Sequence, residues 1–143
     1  MCGIFGLISS GVKVHKSQLS EIVNLLEHRG PDASGIWLSN DSTIGLGHRR
    51  LSILDLTNAG VQPMKSASGR YVITFNGEIY NFKKLRKELK ALNLNFRGQS
   101  DTEVILAAFD IWGINITLNR LSGMFAIGVW DNQKNTLTLA RDR

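Results

Sequence analysis

What most restricts the fold of this 143-residue chain is the order in which strand-like and helix-like periodicities occur along it. Ile4 to Ile8 reads as a buried opening strand. A helical pattern follows, with Ser17 as its expected N-cap and Leu19, Ile22, Val23 and Leu26 on one face, ending near Glu27. His28-Arg29-Gly30-Pro31-Asp32 breaks that pattern. Strands are then expected at residues 35–38, 44–53 and 70–75, and helices at 82–92 and 100–112, the second opened by the capping-box pattern Ser100-Asp101-Thr102-Glu103. An alternating strand at 124–130, a turn at 131–135 and a last strand at 136–141 close the chain. Strands and helices thus come in blocks, and no glycine-rich phosphate loop joins a strand to a helix. That weighs against a doubly wound nucleotide-binding sheet and predicts a largely antiparallel α+β domain.

By length this is one domain. Lys and Arg outnumber Asp and Glu by 17 to 12, but much of the excess lies in Lys83-Lys84-Leu85-Arg86-Lys87-Glu88-Leu89-Lys90. There the charges interleave with Phe82, Leu85, Leu89 and Leu92 at helical spacing, which makes the run the solvated face of an amphipathic helix. No nucleic-acid motif accompanies the charge, so a nucleic-acid partner is not expected. No apolar run approaches the ~20 residues that span a bilayer, and the first residues lack the basic region of a signal peptide. A single cysteine cannot form an intramolecular disulfide. These features point to a cytoplasmic protein without membrane partners. The three histidines lack ligand spacing, so no metal site is expected.

That single cysteine is Cys2, directly behind Met1. Once Met1 is removed, one residue carries both a thiol and a free α-amine, whose ordinary pKa values lie near ~8.5 and ~8. The amine can then accept the thiol proton, in the manner of N-terminal nucleophiles. The plainer reading is a small apolar residue in a strand. Gly47-His48-Arg49-Arg50-Leu51-Ser52-Ile53 sets two arginines in an apolar stretch. Neighbouring strand residues face opposite ways, so only one arginine can enter a given pocket, where its planar fork would suit a carboxylate; otherwise both are surface charge. Asn76-Gly77 is a favoured hairpin turn, yet an Asn amide and a Gly N–H are also two donors able to converge on one oxyanion. Asp101 suits a helix N-terminus and could equally hold an ammonium group.

Taken in order, Met1-Cys2-Gly3-Ile4-Phe5-Gly6, His28-Arg29-Gly30-Pro31-Asp32, Arg50-Leu51-Ser52-Ile53, Gln62-Pro63-Met64, Asn76-Gly77-Glu78-Ile79-Tyr80-Asn81, Ser100-Asp101-Thr102-Glu103, Gly123-Met124-Phe125-Ala126 and Ala140-Arg141-Asp142-Arg143 resemble the glutaminase domain of the class II glutamine amidotransferases. Arg50-Leu51-Ser52-Ile53 and Asn76-Gly77-Glu78-Ile79-Tyr80-Asn81 favour the asparagine synthetase branch over that of glucosamine-6-phosphate synthase.

The resemblance implies an N-terminal nucleophile hydrolase fold, a four-layer α/β/β/α sandwich of two mostly antiparallel sheets. It implies that Cys2 attacks the side-chain amide of L-glutamine with its own α-amine as base, passing through a γ-glutamyl thioester. Asn76 and Gly77 would hold the oxyanion. Arg50 would bind the α-carboxylate, Glu78 and Asp101 the α-ammonium, and the backbone at Ile53 and Leu54 would line the pocket. Arg49 would face away, Arg29 and Asp32 would order their loop, and His28 and His48 would be structural. Residues 1–143 would form one glutaminase domain, incomplete at its C-terminus. No cofactor is expected in this chain; ATP and Mg belong to the absent synthetase domain or subunit, its expected partner, and a homodimer is left open. If Met1 stays attached, the alternative is a non-catalytic structural or regulatory module of the same fold.

Overall fold

The computed structural model describes residues 2–51 and 60–143. Two antiparallel sheets stack on each other. The first has the order β1-β3-β2, built from β1 (Gly3–Ile8), β3 (Ile44–Arg50) and β2 (Ala33–Leu38). The second has the order β4-β5-β6-β7, from β4 (Met64–Lys65), β5 (Tyr71–Ile79), β6 (Gly123–Asp131) and β7 (Thr136–Arg141). Helix α1 (Lys16–Asn24) covers the first sheet, while α3 (Asp101–Trp112) covers the second, with α2 (Phe82–Ala91) and α4 (Ile114–Arg120) packed on α3 or beside it. The result is the expected four-layer α+β sandwich.

Each layer contact follows from a sequence pattern. Leu19 and Val23, one helical turn apart, bury against Gly45 and Gly47 of β3. The contact is close because β3 lacks side chains there: a Cβ on Gly47 would lie 2.2 Å from Val23 Cγ2. Helix α3 is apolar on nearly all sides because it has two partners. Ile105, Leu106 and Phe109 join the core over β5 and β6, while Val104 and Ala108 meet Leu85 and Leu89 of α2. Burying each leucine on that seam contributes about 1.5–3 kcal/mol. Between the sheets lie Ile44, Leu46, Val72 and Trp130.

The sequence expectations hold for most elements and need correction in four places. Helix α1 begins at Lys16, one residue before the expected N-cap Ser17. Gln18 Oε1 instead accepts from the N–H of His15, closing the helix start with a side chain one turn in. The helix stops at Asn24, and residues Glu27–Arg29 form a separate 3-10 turn. Strand β5 continues to Ile79, so Asn76-Gly77 lies within a strand paired to Ala126 and Phe125 and is no hairpin turn. At the start of α3, Ser100 Oγ accepts from Glu103 N at 3.3 Å, but the Glu103 carboxylate takes the N–H groups of Arg97 and Gly98. Strand β4 and helix α4 carry too short a pattern to be seen in the sequence alone. The far end of the expected strand 44–53, including Ser52 and Ile53, falls outside the described residues.

Candidate active site

Strand register decides which side chains share a pocket. In β3, Gly45, Gly47 and Arg49 turn toward α1, and Ile44, Leu46, His48 and Arg50 turn toward the second sheet. Ile4 pairs with His48 and Gly3 with Arg49, so Cys2 continues β1 opposite Arg50 on the inner face. Its half-buried sulfur accepts the N–H of Leu51 at 3.4 Å and lies 3.8 Å from Leu51 O. The two arginines therefore do point apart, but neither sits on a bare sheet face. Arg49 is buried, and Arg50 packs on Gly60, where a Cβ would stand 2.5 Å from the Arg50 guanidinium nitrogen.

Two hydrogen bonds cross from sheet to sheet and set the level of the opposing strand. Thr74 Oγ1 donates to Gly47 O at 3.0 Å, and His48 Nε2 donates to Phe75 O at 3.2 Å. Both bonds advance in step along β3 and β5, so the next residues, Arg50 on one strand and Asn76 to Glu78 on the other, emerge at the same end of the sandwich. Asn76 and Glu78 alternate with the core residues Phe75 and Ile79 and share the inner face with Thr74. Gly77 is the one residue type its place admits. Its φ is +153°, and a Cβ there would lie 2.2 Å from Met124 O and 2.7 Å from Phe125 Cα.

Asp101 closes this end from the helix side. Its Oδ2 accepts from Ile79 N at 3.0 Å and its Oδ1 from Thr102 N at 2.9 Å. Burial pushes its carboxyl above the usual carboxylate range, the two N–H groups work against that, and nearby Glu78 adds to the rise. Gln62, whose role the sequence did not disclose, ties the parts together. Its Oε1 accepts from Phe75 N at 2.6 Å and its Nε2 donates to Thr102 Oγ1 at 3.3 Å, so one buried amide bridges the neighbours of Asn76 and Asp101. Asn81 fixes the far side of the same segment, donating to Arg120 O and accepting from Ser122 N.

Cys2, Arg50, Asn76, Gly77, Glu78 and Asp101 are thus brought to one end of the sandwich by three strands and one helix terminus. Ile53 and Leu54, expected to line the pocket, lie outside the described residues. Arg29 is the residue whose contribution the sequence understated: its Nε donates to the carbonyl of Cys2 itself at 3.3 Å. Among the described residues no three His, Cys, Asp or Glu side chains gather as a metal site, and no helix is long and apolar enough to cross a membrane.

His48 serves the site as a neutral strut. Burial lowers its pKa to about 4, against the partial support of the Phe75 carbonyl, and the Arg50 charge lowers it further. Its folded pKa lies below the ordinary value near 6.5. The unfolded chain therefore binds this proton first, and the stability associated with neutral His48 is complete above about pH 6.5 and is lost as pH falls toward 4. The loss expected across that window is about 3 kcal/mol. Urea unfolding at pH 7 and pH 4.5 should show it, and His48→Gln, which cannot titrate, should flatten that part of the profile.

The model of the glutamine amidotransferase domain matches residues 1–143. The chain belongs to that family, and its two stacked sheets have the fold of the N-terminal nucleophile amidotransferases. Glutamine-hydrolyzing asparagine synthetase B of Escherichia coli (strain K12) is 41% identical over 145 residues, covering 99% of this chain and 25% of that protein. Glutamine-hydrolyzing asparagine synthetase 3 of Bacillus subtilis (strain 168) is 38% identical, covering 100% of this chain and 23% of its own length. Amidase chry2 of Gibberella zeae matches at 36%, again over 100% of this chain and 23% of that protein. The chain therefore spans about a quarter of the length of these relatives. Among solved structures, the glutamine phosphoribosylpyrophosphate amidotransferase from B. subtilis superposes with a TM-score of 0.78 at 20% identity, covering 97% of this chain and 37% of that one.

Proposed function

We propose that this domain hydrolyses the side-chain amide of L-glutamine and delivers the ammonia to an ATP-dependent synthetase domain or subunit. The observation that carries this reading is the register across the sandwich, which sets Cys2 and Arg50 on one sheet against Asn76 and Glu78 on the other.

In this reading the α-amine of Cys2, freed by loss of Met1, takes the thiol proton as sulfur attacks the amide carbon. The oxyanion develops between the Asn76 side-chain amide and the Gly77 N–H, two donors carried on the paired backbone of β5. Collapse of the tetrahedral species breaks the C–N bond, and the leaving nitrogen collects the proton held by the α-ammonium. Ammonia departs, leaving a γ-glutamyl thioester. Water then attacks the thioester carbon, and the amine serves again as base. Glutamate leaves and the thiol is restored. Arg50 pairs with the substrate α-carboxylate, and the ammonium group meets Asp101 and Glu78. A bound ammonium would also relieve the two carboxylates of their mutual repulsion, so Asp101 loses less by being buried once substrate is present.

The test is glutamate release, measured beside the intact mass of the chain. Release is expected from the form that begins at Cys2 and not from the form that keeps Met1, whose would-be base is an amide nitrogen. Release by the Met1-bearing form would overturn the amine as base. A processed and folded chain that releases no glutamate would overturn the glutaminase reading and favour a non-catalytic module.

A further inference from the structure

We infer that Arg49 is a positioning residue for the nucleophile, acting through the turn at Glu27–Arg29 and the contact of Arg29 with Cys2. The inference rests on the reading of Cys2 as nucleophile. A buried arginine on the helix face of β3 needs partners, because an unpaired buried charge is costly. Arg49 finds them all in one place. Its Nε donates to Gly30 O at 2.9 Å, one terminal nitrogen reaches Asn24 Oδ1 at 3.4 Å, and the other lies 3.2 Å from Glu27 Oε1.

These partners lie on both sides of Arg29 in the chain. Glu27 is exposed, so its ion pair contributes little, and the bond to Gly30 O from a buried guanidinium does most of the holding. Gly30 is also pressed flat on the strand: a Cβ there would stand 2.5 Å from Arg49 C and O. Just beyond it, Asp32 N donates to Arg50 O at 3.0 Å. The turn is clamped on β3 at two successive residues, and from that clamp Arg29 reaches across to hold the carbonyl of Cys2. Residues just outside a first strand otherwise fray. Here the chain end that must present both sulfur and amine is tied down by a cation whose own position is set by Arg49, on the face of β3 opposite the one that carries Arg50.

The test is a double-mutant cycle of Arg49→Ala and Arg29→Ala in the full-length protein with Met1 removed. Turnover and KM for glutamine are measured together with the rate at which iodoacetamide alkylates Cys2. Loosening a reacting group by about 1 Å costs up to about 100-fold, so each single substitution should lower kcat about 10- to 100-fold. KM should stay within about threefold, because Arg50 and Asp101 are untouched. Alkylation should change in the opposite direction, rising about threefold or more as the half-buried sulfur becomes accessible. The double variant should be no worse than the poorer single one, since the two residues act in series.

Losses that multiply in the double variant would overturn the relay, as would a rise in KM at constant kcat. If Arg49→Ala does not fold, Arg49→Lys takes its place in the cycle. Lys keeps the charge but cannot hold Gly30 O and Glu27 together, and full turnover in that variant would equally overturn the inference. A wild-type protein that releases no glutamate would end the glutaminase reading, yet the alkylation rates would still decide whether Arg49 governs the Cys2 end.

Discussion

Cys2→Ala is expected to abolish glutamate release while leaving a folded domain. The substitution removes one sulfur that accepts a long hydrogen bond from Leu51 N and approaches Leu51 O, at a position only half buried. That deletion should cost less than about 1.5 kcal/mol of stability. The chemical loss is of another order, because the proposed mechanism runs through this thiol and the chain has no second cysteine to take its place. Removing the nucleophile of a covalent mechanism lowers turnover by about 10⁴- to 10⁶-fold. Unfolding curves that superpose, paired with glutamate release at background, would fit this account. Activity within about tenfold of the parent would refute it.

Gly77→Ala should combine a structural and a catalytic defect. The new methyl would have to occupy space 2.2 Å from Met124 O and 2.7 Å from Phe125 Cα, both backbone atoms of the paired strand. Neither can step aside as the end of a flexible side chain could, so β5 and β6 must separate locally or Gly77 must abandon its φ of +153°. Either response costs about 1–3 kcal/mol. The Gly77 N–H and the preceding Asn76 amide would move together, and loss of one oxyanion donor alone costs about 10²–10³ in turnover. Glutamate release should therefore fall at least 100-fold, with a clear drop in the thermal midpoint. Asn76→Ala is a useful companion: it removes a donor without the backbone conflict, so it should lower turnover with a smaller effect on stability. Equal midpoints for Gly77→Ala and the parent would show that the strand pair accommodates the methyl.

Much of the domain was legible in local patterns. The basic helix is visible because Leu85 and Leu89 recur at one-turn spacing, and both are buried where that spacing points. The last strand is bounded as residues 136–141 because turn-forming residues precede it and alternation carries it. Where local reading failed, another hydrogen-bond partner had displaced the expected one, either far along the chain or within the same turn. Asn76-Gly77 favours a hairpin turn, yet nine consecutive pairs with β6 keep it extended from Tyr71 to Ile79. Ser17 is the better capping residue, but the helix starts earlier because Gln18 satisfies the backbone at His15.

The amino-acid sequence by itself determined the chemical inventory: one thiol beside the start of the chain, two adjacent arginines, an Asn-Gly pair, and an aspartate at a helix start. It also determined the family, since eight motifs in order exceed what any one of them conveys. The arrangement of that inventory came from tertiary structure. Alternation says that Arg49 and Arg50 diverge; the sheet-to-sheet bonds of Thr74 and His48 show that the face of β3 shared by His48 and Arg50 is the one turned toward β5. Sequence patterning has no signal for Arg49 as a clamp on the Glu27–Arg29 turn, for Gln62 as a bridge between β5 and α3, or for Arg29 on the carbonyl of Cys2. The physical reason is common to all three. Each depends on side-chain polar atoms meeting groups more than a dozen residues away along the chain, and periodicity reports which face a residue takes, not what it will meet there.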